Sequence, residues 1–125
     1  MEINYLLIAI KVFILISILN VWLLRFNKPT SWRGGSAQSM KEEFETYGLS
    51  ETMVYLVGGL KILFAILIFS SIWLPQLGVP GAAGMSVLML GAIAMHLKVK
   101  DPLKKSFPAF SFLVLSVIII AMDYL

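Results

Sequence analysis

Ionisable side chains inside long apolar runs are where chemistry is first sought, because a charge at the centre of a membrane helix costs at least about 2.5–3.5 kcal/mol. Lys61 sits in the middle of such a run, with Gly58 before it and Ala65 after it at helical spacing. On a helix these share a face with Val54, Val57 and Ile68, so the amine stands on a small-sided stripe suited to a helix contact or a cavity. No acidic residue is expected at its depth, since Glu51 lies about 15 Å away along a helix axis. Such a lysine can be neutral and hydrogen-bonded, can bind an anionic or carbonyl-bearing ligand, or can snorkel to the interface.

Lys11 occupies the first apolar run, with Asp123 and Glu2 as candidate partners, and fits a snorkelling or paired lysine that sets the depth of its helix. Asn20 falls on the opposite face of that helix and suits an interhelical hydrogen bond. His96 closes the third run on the face of Ala92 and Met89. It suits proton transfer, donation to a quinone, or a backbone hydrogen bond at the interface, and it lacks the companions a metal site requires. Tyr55 joins these as a ligand-binding or relay candidate. With Trp22, Trp73 and Tyr124 it also fits an interfacial aromatic belt.

The elements that would position these residues are helices. The chain has 125 residues, 59% of them hydrophobic and only 14% charged. A soluble domain this small could not bury so much apolar surface. Runs of roughly 20 apolar residues span a bilayer, and four are present, at about 4–24, 52–74, 80–97 and 107–124. The expected fold is an all-α integral membrane four-helix bundle in a single domain. The first run follows Met1 and Glu2 with no basic stretch and no small-residue cleavage site, and reads as a retained helix.

The short second loop makes a hairpin between antiparallel neighbours. The first loop is long, and Ser39 with Glu42 forms a capping-box pattern in it. Met40, Phe44 and Tyr47 then share one face, and Gly48 offers a stop, so a short amphipathic interfacial helix is expected over about 40–47. The preceding Trp32–Arg33–Gly34–Gly35 stretch reads as a turn. Ser50 is an N-cap for the second span, and Pro80 and Pro108 suit first helical turns.

The third span is rich in Gly and Ala, including Gly84, Gly91 and Ala92. With Gly58 these are packing candidates, and the third span reads as the central helix. The fourth span is apolar all round and reads as lipid-facing.

Eight of the ten Lys and Arg lie in loops 25–50 and 98–106. The positive-inside rule places both loops in the cytoplasm and both termini outside. The modest net charge of +3 therefore reads as membrane orientation, with no nucleic-acid partner. The chain has no cysteine, which excludes thiol redox chemistry and Cys-based metal sites. It has no Walker loop, dinucleotide fingerprint, HExxH motif or paired intramembrane carboxylates, so no catalytic motif is present. Small drug/proton antiporters rely on a carboxylate in the first helix, and this chain has Lys11 there.

Several segments together resemble the DoxX-like family of small four-helix membrane proteins, common in bacteria. They are Arg25–Phe26–Asn27–Lys28, Met40–Lys41–Glu42–Glu43–Phe44, Tyr47–Gly48–Leu49, Gly58–Gly59–Leu60–Lys61, Leu90 to His96, and Lys100–Asp101–Pro102 to Pro108. The resemblance implies a bacterial inner-membrane location. Some relatives are described as subunits of thiosulfate:quinone oxidoreductase, others are tied to oxidative-stress complexes, and a distant branch resembles an assembly chaperone for nicotinic receptors. Relatives carry a glutamate in the second helix where this chain has Lys61, so a role resting on that carboxylate is not implied.

The function expected from residues and resemblance together is a non-catalytic binding or accessory subunit. It holds a lipid, a quinone or another hydrophobic molecule within the bundle, or docks a partner through the two basic loops. No cofactor is evident beyond a possible lipid or quinone. A subunit of a quinone-linked oxidoreductase and a membrane-protein assembly factor are the alternatives, and a homo-oligomer is compatible with each.

Overall fold

Asn4 opens the first helix by accepting a hydrogen bond from the Leu7 backbone N–H at 3.0 Å, which satisfies one of the amides a helix start leaves unpaired. In the computed structural model, which describes residues 4–125, every regular element is helical. They are α1 (Tyr5–Leu19), α2 (Met40–Thr46), α3 (Glu51–Ser70), α4 (Gly78–Lys98) and α5 (Phe107–Asp123). α1 runs on into a π-helical turn at Asn20–Leu24, where the Arg25 N–H donates to the Asn20 carbonyl at 3.0 Å. Four helical stretches are long and apolar enough to cross a membrane: Tyr5–Leu24, Glu51–Ser70, Pro75–Lys98 and Leu103–Asp123.

α2 is the short amphipathic helix of the first loop. The Ser39 hydroxyl caps it by accepting from the Glu42 N–H at 3.2 Å. Met40, Phe44 and Tyr47 are all buried, and α2 packs on α3. It ends in a Schellman motif: the Gly48 N–H reaches Glu45 O and the Leu49 N–H reaches Phe44 O, both at 2.9 Å, with Gly48 at φ +81°. Glycine adopts that φ without steric cost.

α3 starts on the Ser50 cap and ends at Ser70, short of the Leu74 exit suggested by hydropathy. Ser71 turns its hydroxyl back to the Ile68 carbonyl, and Pro75 brings no N–H with which to extend the helix. A 3-10 turn at Pro75–Leu77 leads into α4. α4 closes in a second Schellman motif, with Lys100 N–H to Leu97 O at 3.1 Å and Asp101 N–H to His96 O at 3.0 Å. Here a lysine, at φ +59°, holds the left-handed position usually given to glycine.

The helices form a curled row. α3 packs on α1 and α4, and α4 packs on α3 and α5, while α1 and α5 touch lightly through a Phe13–Phe112 ring stack at 6.0 Å. The centre is thus shared by α3 and α4. α5 also departs from a purely lipid-facing helix: Ala109, Ser116 and Ile119 are buried against the bundle, while Phe110, Val114 and Val117 face outward.

Two glycines explain how close the helices come. A Cβ on Gly58 would lie 2.5 Å from the Trp22 indole, and one on Gly84 would lie 2.5 Å from the Phe64 ring. Gly91 differs, because it is exposed and nothing lies within 4 Å of its Cβ position, so it makes no such contact within the chain. Ala92 is partly buried against the core.

Candidate functional site

Arg33 anchors the most polar part of the buried structure. The loop folds back on itself when the Met40 N–H bonds to the Phe26 carbonyl at 2.8 Å, and Arg33 fills the space enclosed. Its side chain is 4% exposed. Its Nε and Nη2 donate to the Lys28 carbonyl at 3.1 and 3.0 Å, Nη2 also donates to the Arg25 carbonyl, and Nη1 meets Glu43 Oε2 at 3.1 Å. A planar guanidinium suits this role because its donors radiate in a fixed fork.

Glu43 passes the network on. Its other oxygen accepts the Tyr47 hydroxyl at 2.7 Å, and the Tyr47 ring meets His96 edge-on at 5.8 Å. Gly34 makes room for this ring, since a Cβ there would lie 2.5 Å from it. His96 Nδ1 pairs with Asp101 Oδ2 at 2.7 Å, with both side chains below a tenth exposed. The α4 Schellman turn makes this pair possible. His96 and Asp101 are five residues apart and would not face each other on a continuous helix.

Three further bonds tie the two basic loops together. Asp101 Oδ1 accepts the Gly35 N–H at 3.0 Å, Lys105 Nζ donates to the Gly35 carbonyl at 2.6 Å, and Lys98 Nζ donates to the Tyr47 carbonyl at 2.7 Å. Burial, with the Glu43 carboxylate beside it, pushes the Tyr47 hydroxyl far above its ordinary range, so it remains a donor. Burial by itself raises the Asp101 carboxyl. The hydrogen bonds from His96 and Gly35 and the positive charges of His96 and Lys105 outweigh it and hold the group below its ordinary value. The arrangement can fix two loops in one geometry. It also leaves His96 oriented by a carboxylate, with no hydrogen bond at Nε2 among the described residues.

Comparison with protein families matches residues 32–119, which include Arg33, Glu43, Tyr47, His96 and Asp101, to the DoxX-like family. The chain belongs to the DoxX-like family. No curated protein and no solved structure matches it. With four apolar helices, the DoxX-like chain is an integral membrane protein.

The site residues expected from sequence are dispersed in this DoxX-like bundle. His96 enters the network through the Asp101 carboxylate, a partner not among those expected for it from sequence. Lys61 makes no hydrogen bond or ion pair with that network; the side chain is partly buried, with Nζ 5.5 Å from the centre of the Trp22 ring. Trp22 is itself buried, so it leaves the aromatic belt, whereas Tyr55, Trp73 and Tyr124 are exposed. Two open surface grooves flank the π-helical turn, and Lys61 lines neither. Asn20 borders one; its side chain makes no hydrogen bond to another described helix. Tyr55 borders the other, stacked on Phe26 at 6.3 Å. Lys11 is partly buried and forms no ion pair with Asp123 among the described residues, and Glu2 lies outside those residues. No group of three metal-ligating side chains occurs among the described residues.

Sequence reading missed Arg33, Glu43 and Asp101 as site residues. A signal was present for the first, an arginine between Trp32 and a Gly–Gly pair. The other two looked like ordinary loop charges.

Proposed function

We propose that this DoxX-like protein is a non-catalytic accessory subunit that docks a partner protein on the face formed by loops 25–50 and 98–106. The observation that supports this reading is the Gly35 backbone, whose N–H is held by Asp101 and whose carbonyl is held by Lys105. Two loops far apart in sequence thereby become one rigid surface. Lys28, Lys100 and Lys104 are exposed on it. Pre-ordering a basic surface lowers the entropy that a partner must offset, and the charge favours an acidic one. By the positive-inside rule this face is cytoplasmic and both termini are outside. A quinone-linked oxidoreductase could use such a face to anchor its catalytic subunit.

Photo-crosslinking in intact membranes tests the proposal. A photoreactive residue at Lys28 or Lys104 should trap one defined protein, and Val117 on the lipid side should not. Asp101→Asn, which loosens the joint between loops, should weaken the adduct. Equal labelling from all three positions would overturn the reading.

A further inference from the structure

A groove on the outer surface runs between the π-helical turn and α3. It is lined by Trp22, Leu23, Phe26, Asn27, Val54, Tyr55, Gly58, Gly59 and Ile62. Three features set it apart from ordinary lipid-facing surface. Its floor is at Gly59, where nothing lies within 4 Å of the Cβ position, so a slot is left where other helix positions carry a side chain, while the place over Gly58 is filled by Trp22. One wall is the stacked pair Phe26 and Tyr55, with Trp22 behind them. The π turn supplies Trp22 and Leu23 to the same groove, and such turns recur at functional positions. Leu23 and Tyr55 are 64% and 57% exposed, so the slot opens sideways to the bilayer.

Its loop end is cationic. Lys41 Nζ stands 5.7 Å from the centre of the Tyr55 ring. Arg25 and Lys28, both exposed, flank the Phe26–Asn27 pair of the lining. The acid at hand is Glu51, 3.1 Å from Lys41. Both members of that pair are well exposed, so it is weak and a phosphate can compete for the amine. An apolar slot open to lipid beneath a surplus of positive charge matches one occupant in both parts. We propose that the groove is a binding site for an anionic phospholipid of the surrounding bilayer, one acyl chain lying over Gly59 and the headgroup at Lys41. This site shares Lys28 and one edge of loop 25–50 with the docking face, but its test reads a bound lipid rather than a protein partner, so the two readings fail separately.

The test uses native mass spectrometry of the full chain titrated with phosphatidylglycerol or with phosphatidylcholine of the same acyl chains. Gly59→Leu puts a side chain into the slot, and its Cβ meets no atom of the fold. Lys41→Gln keeps the slot and removes the charge. Wild type should retain one phosphatidylglycerol in preference to phosphatidylcholine. Gly59→Leu should lose that retained phosphatidylglycerol, because the leucine side chain takes the place of the packed acyl chain. Lys41→Gln should bind both lipids alike. Equal retention of the two lipids by wild type, or undiminished phosphatidylglycerol on a folded Gly59→Leu, would overturn the site. So would a dimer that Gly59→Leu abolishes, because the occupant would then be a second copy of the chain.

Discussion

Arg33 and Glu43 meet at 3.1 Å with side chains 4% and 13% exposed, and each is also bonded to other groups. Arg33 holds the carbonyls of Arg25 and Lys28, and Glu43 holds Tyr47. Removing one charge of such a pair leaves the other buried and uncompensated. Arg33→Met should therefore destabilise the protein by about 3–5 kcal/mol. Arg33→Lys should recover only part of that, since an ammonium cannot reproduce the fork. Thermal unfolding in one fixed detergent measures both, and a Met variant as stable as wild type would contradict the role given to Arg33.

Asp101 sets an acid limit. Its carboxyl is held below the ordinary value of 3.8 in the folded protein. The stabilisation it contributes is therefore present above that pH and is lost as the pH falls through the lower, folded value. The groups facing it are His96, Lys105, the Gly35 N–H and Tyr47. Melting temperatures measured against pH should separate wild type from Asp101→Asn above pH 3.8 and bring them together in stronger acid.

Tyr47 sets an alkaline limit of opposite sign. Its hydroxyl is raised above the ordinary 10.0, so the folded state keeps a proton that the unfolded state releases. Stability is complete below pH 10.0 and falls as the pH rises further. Phenolate absorbance should show Tyr47 ionising only with unfolding, and Tyr47→Phe should flatten the alkaline loss while weakening the protein at neutral pH.

The glycines of α3 and α4 should respond differently to alanine. Gly84→Ala forces a Cβ against the Phe64 ring at 2.5 Å and should cost about 1–3 kcal/mol, as overpacking does. Gly91→Ala meets nothing within 4 Å and should stabilise by up to about 1 kcal/mol through helix propensity. Unfolding of the two variants side by side decides this, and equal effects would contradict the packing described.

Lys61 makes no ion pair within 4 Å among the described residues, and its amine faces Trp22. Lys61→Met leaves no carboxylate orphaned, so it should fold and lose no more than about 2 kcal/mol, the upper range of a cation–π contact. A variant that fails to insert or fold would assign Lys61 a partner that the bundle does not display.

Much of the architecture was legible in the sequence because lipid imposes a long-period signal. Spans of Leu, Ile, Val and Phe, the Ser39 and Ser50 caps and the Gly48 stop are local properties of neighbouring residues. The face Met40–Phe44–Tyr47 followed from helical periodicity alone. The end of the second span was less legible, since hydropathy continues through Trp73 and Leu74 while the regular α-helix ends at Ser70 and gives way to turns.

The candidate site was not legible, because its residues meet only through tertiary contacts. Gly35 and Asp101 are joined across the two loops, and nothing in either segment names the other. His96 and Asp101 become partners through a left-handed turn at Lys100, where local preference favours glycine. Trp22 has the composition of an interfacial residue, yet Gly58 admits it to the interior. The sequence by itself determined that the chain is helical, spans a membrane and concentrates its positive charge in two loops, since these follow from composition and short-range periodicity. Only the tertiary structure decided that the loops are bonded into one face through Arg33, Glu43, Tyr47, His96 and Asp101, because burial and hydrogen bonding between distant segments depend on the packed arrangement of all the helices.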